Sequence, residues 1–258
     1  MIEERTIIRW ADGLSTTRTD VLVQEARVTV AVNGEERAAL MALPAELEEL
    51  ALGFLFAECA FADPSQIQEV RANPRLHAVY VTLDGPSPVL PDLVRTFTSG
   101  CGRGVSRVSP LWEHQFAVLQ QEASHALPTV MGAVRQLAGD STLYRRTGGV
   151  HTAGLWVNGG FRWICDDIGR HNAVDKVIGH ALREQWPVGD DGMLVSTGRL
   201  STDIVLKAAR AGIPVVVSRS APTSAAAQLA DAYGMTMVGF ARAGRCNIYT
   251  HPQRMKLS

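Results

Sequence analysis

The sequence predicts an α/β fold in which a mostly parallel sheet carries helices on its faces, preceded by a smaller α+β unit. From about residue 145 onward, short apolar strand patterns alternate with helical patterns, which is typical of parallel strands joined by helices. Residues 18–90 instead follow the order ββαββ. The hydrophobic fraction of 46% over 258 residues is enough for a packed core in both units.

The N-terminal unit is predicted from strand patterns on either side of one amphipathic helix. The predicted segments are, in order, a strand at 21–32, a second ending at Leu43, a helix opened by Pro44, and strands at 67–72 and 78–83. Asn33-Gly34 between the first two strands is a strong hairpin signal. Cys59 follows the apolar stripe of the helix, so we expect it in the core. This unit is assigned to residues 1–90.

The second unit, residues 146–258, is predicted to hold six strands and three helices. The strands are placed at 154–157, 161–165, 193–196, 214–218, 236–240 and 246–250, and the helices at 173–183, 202–211 and 224–233. Residues 91–145 between the units are assigned to a linker that contains a glycine-rich loop and a helical stretch at 110–138, broken at Pro128.

Composition excludes several classes of partner and location. The net charge of −1 predicts neither a nucleic-acid nor a membrane partner. The first residues are charged and lack the apolar centre of a signal peptide, so we expect a cytoplasmic protein without disulfides. The four cysteines contain no C-x-x-C pair, and we expect no metal ligands among them.

Cys101 is the candidate reactive residue. It lies between Gly100 and Gly102, in a segment that offers no bulky apolar side chain to bury the sulfur. Arg103 and Arg107 would favour the thiolate, which is the nucleophilic form. The alternative is a flexible loop that happens to contain a thiol.

Loops that follow the predicted strands suggest an anion pocket. Gly169-Arg170 and Gly198-Arg199 precede helices, and residues 218–224 bring four hydroxyls and an arginine to the start of another. In open α/β sheets, ligands bind at the carboxyl ends of strands, where helix N-termini present free N–H groups. The loops therefore favour a phosphorylated ligand, and the alternative is a set of helix caps with solvated arginines.

The densest polar block is residues 166–176. His171 lies at a helix start and Asp175 one turn later, on the same face. His151 is a second candidate histidine, just before a strand. A zinc deaminase would need H-x-E and P-C-x-x-C, and both are missing. A Cys–His hydrolase built from Cys101 with either histidine stays open.

Several ordered segments resemble the FdhD/NarQ family of formate dehydrogenase accessory proteins. They are residues 50–58, 147–151, 166–179, 198–203, 220–224, 239–242 and 245–250. The resemblance spans about residues 18–254. It implies a C-terminal three-layer domain like that of cytidine deaminases, without zinc, after the small N-terminal roll.

The resemblance also implies a function. Members are sulfur carriers that accept a persulfide from a cysteine desulfurase and pass the sulfur to a molybdenum cofactor, Mo-bis(molybdopterin guanine dinucleotide), for the formate dehydrogenase catalytic subunit. Cys101 matches the persulfide cysteine. The residues that match or suit the cofactor-binding segments, for which GDP is a mimic, are Phe240, Ala241, Arg242, Ala243, Gly244, Arg245, Arg170, His171, Ser220 and Thr223. The family implies a cytoplasmic homodimer.

One departure affects the mechanism. Many members have C-x-x-C in the reactive loop, whereas Gly104 stands at the second position here. One sulfur suffices to carry a persulfide, but a local resolving thiol is missing. The alternative function is a chaperone that binds the cofactor or a guanine nucleotide without using the thiol.

Overall fold

The computed structural model describes residues 1–85, 96–97, 117–120, 124–184 and 186–257. The strands in these ranges are β1 Ile2–Ala11, β2 Leu14–Val23, β3 Ala26–Val32, β4 Glu35–Ala42, β5 Ile67–Asn73, β6 Ala78–Leu83, β7 Thr96–Phe97, β8 His125–Ala126, β9 His151–Val157, β10 Gly160–Asp167, β11 Met193–Ser196, β12 Val215–Ser218, β13 Thr236–Arg242, β14 Arg245–Thr250 and β15 Met255–Lys256. The α-helices are α1 Leu47–Ala57, α2 Leu127–Asp140, α3 Thr142–Thr147, α4 Arg170–Glu184, α5 Thr202–Arg210 and α6 Ser224–Ala232.

The central element is a six-stranded sheet in the order β10-β9-β11-β12-β13-β14. Strands β11, β12 and β13 are parallel, and β9 is antiparallel to both β10 and β11. Strand β10 therefore runs in the same direction as the three parallel strands. As a result, the carboxyl ends of four strands meet at one edge of the sheet, where the sequence predicts a ligand.

Helices cover both faces of this sheet, as the alternation of buried side chains requires. Met193 and Val195 of β11 pack in the cluster that contains α2, whereas Leu194 between them packs in the cluster that contains α4, α5 and α6. A mixed α/β architecture is thus confirmed. The likeness of this sheet to the cytidine deaminase fold stays a prediction.

The N-terminal residues form a second sheet, in the order β5-β6-β3-β4-β7. Strands β3 to β6 and helix α1 have the predicted order ββαββ, and β7 adds a fifth strand that was not predicted. Helix α1 belongs to the same hydrophobic cluster as α4, so one continuous core joins this sheet to the larger one. The exact domain limits at residues 90 and 145 stay a prediction.

Two glycines allow α1 and α4 to cross closely. A Cβ atom at Gly53 would lie 1.8 Å from the carbonyl oxygen of Asp175, and one at Gly179 would lie 2.0 Å from that of Glu49. Each glycine thus faces the backbone of the opposite helix, where a side chain has no space.

A network of hydrogen bonds around a buried ion pair also connects the two sheets. Lys176 Nζ lies 2.8 Å from Asp167 Oδ2, and neither side chain is exposed. Asp167 accepts hydrogen bonds from the backbone of Leu43 and from Asn172, whose amide also donates to the carbonyl of Met41. The polar block 166–176 therefore anchors the chain just after β4 to the start of α4.

The N-terminal residues differ from the sequence prediction. Instead of one strand at 21–32, the chain forms β2 and β3, with a break at Gln24 and Glu25. Strands β1 and β2 pair along their whole length around Asp12-Gly13, in a largely exposed hairpin that was not predicted. The prediction was wrong because it extended one strand across Gln24 and Glu25, two polar residues that interrupt the apolar pattern.

The middle of the chain also differs from its prediction. Residues 117–120 are not helical, and Pro128 lies in the first turn of α2 rather than at a break. Proline is well tolerated at this position because the first helical N–H groups have no partner within the helix. Helix α3 was not predicted. Cys59 is half-buried, with φ of 61°, and is not a core residue.

None of the helices in the described ranges is long and apolar enough to cross a membrane.

Candidate functional site

A cleft lies at the sheet edge where the four strand ends meet. Its larger cavity has a volume of about 470 Å³ and its smaller one about 220 Å³. Each strand end contributes to the larger cavity through the residue at or just after its terminus, and these residues are Ile168, Thr197, Arg219, Ser220 and Arg242. The cleft therefore occupies the position that the order of strands and loops predicts.

Two arginines define the electrostatic character of the cleft. Arg219 and Arg242 line both cavities, which adjoin along these two side chains and Ala138. Among the described residues, neither guanidinium forms an ion pair, although Arg242 lies over the ring of Phe240 at 5.8 Å. Two guanidinium groups that face one cleft suit the oxygens of a phosphate or a diphosphate.

A β-bulge sets the direction of Arg242. The pairing of β13 with β14 is Gly239 with Asn247 and then Arg242 with Arg245, so the register shifts between the two pairs. Phe240 has φ of 52°, an uncommon conformation for a bulky residue, and its N–H donates to the carbonyl of Ser220 at 3.0 Å. Such bulges commonly redirect side chains beside functional sites.

The opposite wall is held by a hydrogen-bond network. Asp166 accepts from the hydroxyls of Thr152, at 2.6 Å, and Ser141, at 2.9 Å, which fixes the start of α3 against β9. Thr197 lies 3.4 Å from Nδ1 of His151. Burial, then the positive charge of Arg170, lowers the pKa of His151. This wall therefore offers a neutral imidazole and hydroxyl groups.

His171 lies near this edge but does not line the cleft. Its Nε2 is 3.3 Å from the hydroxyl of Ser201 and 3.7 Å from a carboxylate oxygen of Asp203. Burial, followed by the charges of Lys207, Arg170 and Arg199, lowers its pKa to about 3. His171 is thus neutral at physiological pH, and the cause of the shift shows how many cations surround this end of the sheet.

The other titratable group of the block is part of the interior. Asp175 forms a buried ion pair with Lys207, and burial still raises its pKa to about 6. Glu58, at the end of α1, faces the same pair, and burial raises its pKa to about 7. Asp175 therefore holds α5 against α4 and is not presented to a ligand.

The structure separates the predicted cofactor-binding residues into groups. Five of them line the cleft: Ser220, Ala241, Arg242, Ala243 and Gly244. Phe240 lies directly beneath Arg242. Arg245 is exposed on the far side of the two-residue turn, and Thr223 accepts a hydrogen bond from Ala226 as the N-cap of α6.

The remaining predicted residues are Arg170, His171 and Cys101. Arg170 packs against Gly198, next to His171 at the start of α4. Cys101 and Gly102-Arg103 lie outside the described residues, as does any approach of Cys101 to His151 or His171.

Sequence reasoning missed part of the lining. Tyr144 is half-exposed at the cleft wall and can stack on a planar ring. It belongs to the short helix α3, which has no periodic pattern to reveal it. Arg219 belongs to a polar loop at a strand end, which the sequence predicts as part of a pocket. Its position next to Arg242, however, depends on the pairing of β12 with β13.

The fold and the site define an α/β protein with an arginine-lined cleft suited to a phosphorylated, ring-containing ligand. Comparison with known proteins then identifies the family. The FdhD/NarQ family model matches residues 23–256, and the chain belongs to this family.

Individual relatives and a solved structure match this chain over almost its whole length. The sulfur carrier protein FdhD of Bacillus pumilus is 36% identical over 98% of this chain and 97% of its own length. The sulfur carrier protein FdhD of Bacillus subtilis is 34% identical over 98% of this chain and 97% of its own length. The crystal structure of a formate dehydrogenase accessory protein from Desulfotalea psychrophila, at 28% identity, covers 99% of both chains with a TM-score of 0.83.

Proposed function

We propose that this protein is a sulfur carrier for the maturation of formate dehydrogenase. Cys101 accepts a persulfide from a cysteine desulfurase, and the cleft holds the molybdenum cofactor, Mo-bis(molybdopterin guanine dinucleotide), which is the acceptor of the sulfur. The observation that carries this proposal is membership of the FdhD/NarQ family over residues 23–256. The arginine-lined cleft supports it, because a guanine dinucleotide brings phosphates and a planar base.

The loading step conserves atoms and electrons. The Cys101 thiolate attacks the terminal sulfur of the donor persulfide, forms a new S–S bond, and releases the donor cysteine as a thiolate. Delivery of sulfide then requires two electrons, which break the S–S bond and restore the Cys101 thiol. With Gly104 at the usual second cysteine position, two external thiols supply these electrons. The first attacks Cys101, releases sulfide and forms a mixed disulfide, and the second resolves that bond, restores the Cys101 thiol and leaves the two external thiols joined as a disulfide.

The cleft residues have separate roles in this proposal. Arg219 and Arg242 bind phosphate oxygens, Tyr144 stacks on the guanine, and Ser220 and Thr197 donate hydrogen bonds. The neutral His151 adds a hydrogen bond without a charge. Binding energy at the nucleotide end positions the distant molybdenum end for transfer.

A second candidate is a chaperone that protects the cofactor without carrying sulfur. One observation favours it: Gly104 stands where many members have the second cysteine of the reactive loop, so this chain has lost the local resolving thiol. In that case, GDP binding and enzyme maturation both survive removal of the Cys101 thiol.

Maturation of formate dehydrogenase in a bacterium that lacks its own family member separates the two functions. For a sulfur carrier, we expect Cys101→Ala to abolish formate dehydrogenase activity while the purified variant still binds GDP. Cys246→Ala serves as the control and retains activity. Full activity with Cys101→Ala would instead support the chaperone.

A further inference from the structure

We infer that Glu46, Cys165 and His180 form a binding site for a zinc-like divalent cation, separate from the sulfur-carrying thiol. The three residues come from different elements: Glu46 directly precedes α1, Cys165 lies in β10, and His180 in α4. One ligand atom from each lies within 4.8 Å of the other two. The site therefore joins the N-terminal sheet unit to the larger sheet.

Two of the three separations between ligand atoms are close to those of a tetrahedral site, and the third, between the Cys165 sulfur and Nε2 of His180, is within 4.8 Å. The Cys165 sulfur lies 3.4 Å from Oε1 of Glu46, and Nε2 of His180 lies 3.0 Å from the same oxygen. Ligand atoms of a tetrahedral zinc ion are about 3.3–3.6 Å apart, given metal–ligand bonds of about 2.0–2.3 Å. Small side-chain shifts would therefore complete the coordination.

The ligand chemistry selects the class of ion. A thiolate with an imidazole and a carboxylate favours Zn²⁺ over the hard cations Mg²⁺ and Ca²⁺, which prefer oxygen ligands only. A divalent ion with one thiolate and one carboxylate is also neutral overall, so the half-buried location costs little. Cys165 is buried, whereas the side chains of His180 and Glu46 are 19% and 33% exposed, which leaves a path for the ion and a water ligand.

The surroundings of His180 support the same inference. Its Nδ1 is buried without a hydrogen bond among the described residues and lies 3.7 Å from Oε1 of Glu184. A carboxylate at the second nitrogen is the usual partner of a zinc-binding histidine, and it directs the lone pair of Nε2 toward the metal. Trp163 stacks on the imidazole at 6.0 Å and donates to the other oxygen of Glu184, which fixes the ring further.

Titration of the metal-free, reduced protein with Co²⁺ tests the inference. We expect one equivalent to produce a thiolate-to-metal charge-transfer band and the intense visible bands of tetrahedral Co²⁺, both removed by Zn²⁺. The charge-transfer band should be lost in Cys165→Ser, and His180→Gln should weaken binding at least tenfold. Cys101→Ser and Cys246→Ser are matched controls that should retain both bands.

Two results would overturn the inference. One is no thiolate band at stoichiometric Co²⁺ in the intact protein, which would mean that the three residues form only a hydrogen-bonded cluster. The other is a band that survives Cys165→Ser but disappears in Cys101→Ser. If Cys165→Ser fails to fold, His180→Gln and Glu46→Gln take its place, because these side chains are partly exposed. Unchanged Co²⁺ affinity in both variants would reject the site.

Discussion

At the scale of single residues, the two guanidinium groups of the cleft matter most. Arg219 and Arg242 come from neighbouring strands, β12 and β13, and both face the two cavities without an ion pair among the described residues. A charge-assisted hydrogen bond contributes about 1.5–3 kcal/mol. In the proposed function, these two side chains therefore supply most of the affinity of the cleft for the phosphates of the nucleotide.

We expect Arg219→Ala and Arg242→Ala each to raise the Kd for GDP by about 10- to 100-fold, measured by isothermal titration calorimetry. Arg245→Ala is the matched control, because it removes the same charge from the same hairpin outside the cavity lining. A larger loss with Arg245→Ala than with Arg242→Ala would place the nucleotide elsewhere.

His171 gives a second prediction at this scale, on pH dependence. Its pKa is about 3 in the folded protein, mainly because of burial, and about 6.5 when unfolded. The unfolded chain therefore binds more protons between these values, so the free energy of unfolding decreases as the pH falls from 6.5 toward 3.

The decrease in the free energy of unfolding between pH 7.5 and pH 5 should be smaller in His171→Gln, because glutamine cannot take up a proton. Urea unfolding at the two pH values measures it. His77→Gln is the control, as a half-buried histidine on a turn outside the larger sheet. An identical pH dependence for wild type and His171→Gln would show that His171 is solvated.

At the scale of elements, the crossing of α1 and α4 determines how the N-terminal sheet unit meets the larger sheet. Gly53 and Gly179 each allow the backbone of the other helix to approach. The apolar stripe of α1 was visible in the sequence, but its partner was not. A glycine within a helical pattern signals such a contact only when the second helix is known.

Gly53→Ala and Gly179→Ala should each destabilise the protein by about 3 kcal/mol or more, because the added methyl group overlaps backbone atoms that cannot move independently. Gly139→Ala in α2 is the control. A Cβ at Gly139 has nothing within 4 Å, so this change should instead stabilise by about 0.5–1 kcal/mol. Thermal unfolding of the three variants measures the difference, and equal effects at Gly53 and Gly139 would contradict the close crossing.

At the scale of the whole molecule, much of the C-terminal organisation could be predicted from the sequence. Strands such as 193–196 and helices such as 202–211 alternate clearly, and strand-end loops rich in arginine marked the edge that holds the cleft. The family resemblance pointed in addition to residues 241–244, which line the cleft. The N-terminal hairpin was missed although Asp12-Gly13 is a hairpin signal, because its strands carry little apolar alternation.

The polar block 166–176 could not be interpreted from sequence alone. Its density suggested a ligand site, yet Asp167, Asn172 and Lys176 form a buried network with residues more than 120 positions earlier. Only the tertiary fold brings these partners together. The same holds for Glu46, Cys165 and His180.

This network predicts that a substitution of Lys176 strongly lowers the free energy of unfolding. Lys176→Met leaves the buried carboxylate of Asp167 without its cation and should lower the free energy of unfolding by about 3–5 kcal/mol. Arg27→Met, which removes the exposed pair with Glu36, should cost less than about 1 kcal/mol. Chemical denaturation compares the two, and a loss at Lys176 no greater than at Arg27 would contradict the buried pair.

The central claim is that Cys101 carries the sulfur, and intact-protein mass spectrometry tests it most directly. After incubation with a cysteine desulfurase and cysteine, the protein should gain the mass of one sulfur atom, located on Cys101 by peptide mapping and removed by an added thiol. Cys101→Ala should gain none, whereas Cys59→Ala should gain it as wild type does. No adduct in the wild-type protein, or an equal adduct in Cys101→Ala, would contradict the claim.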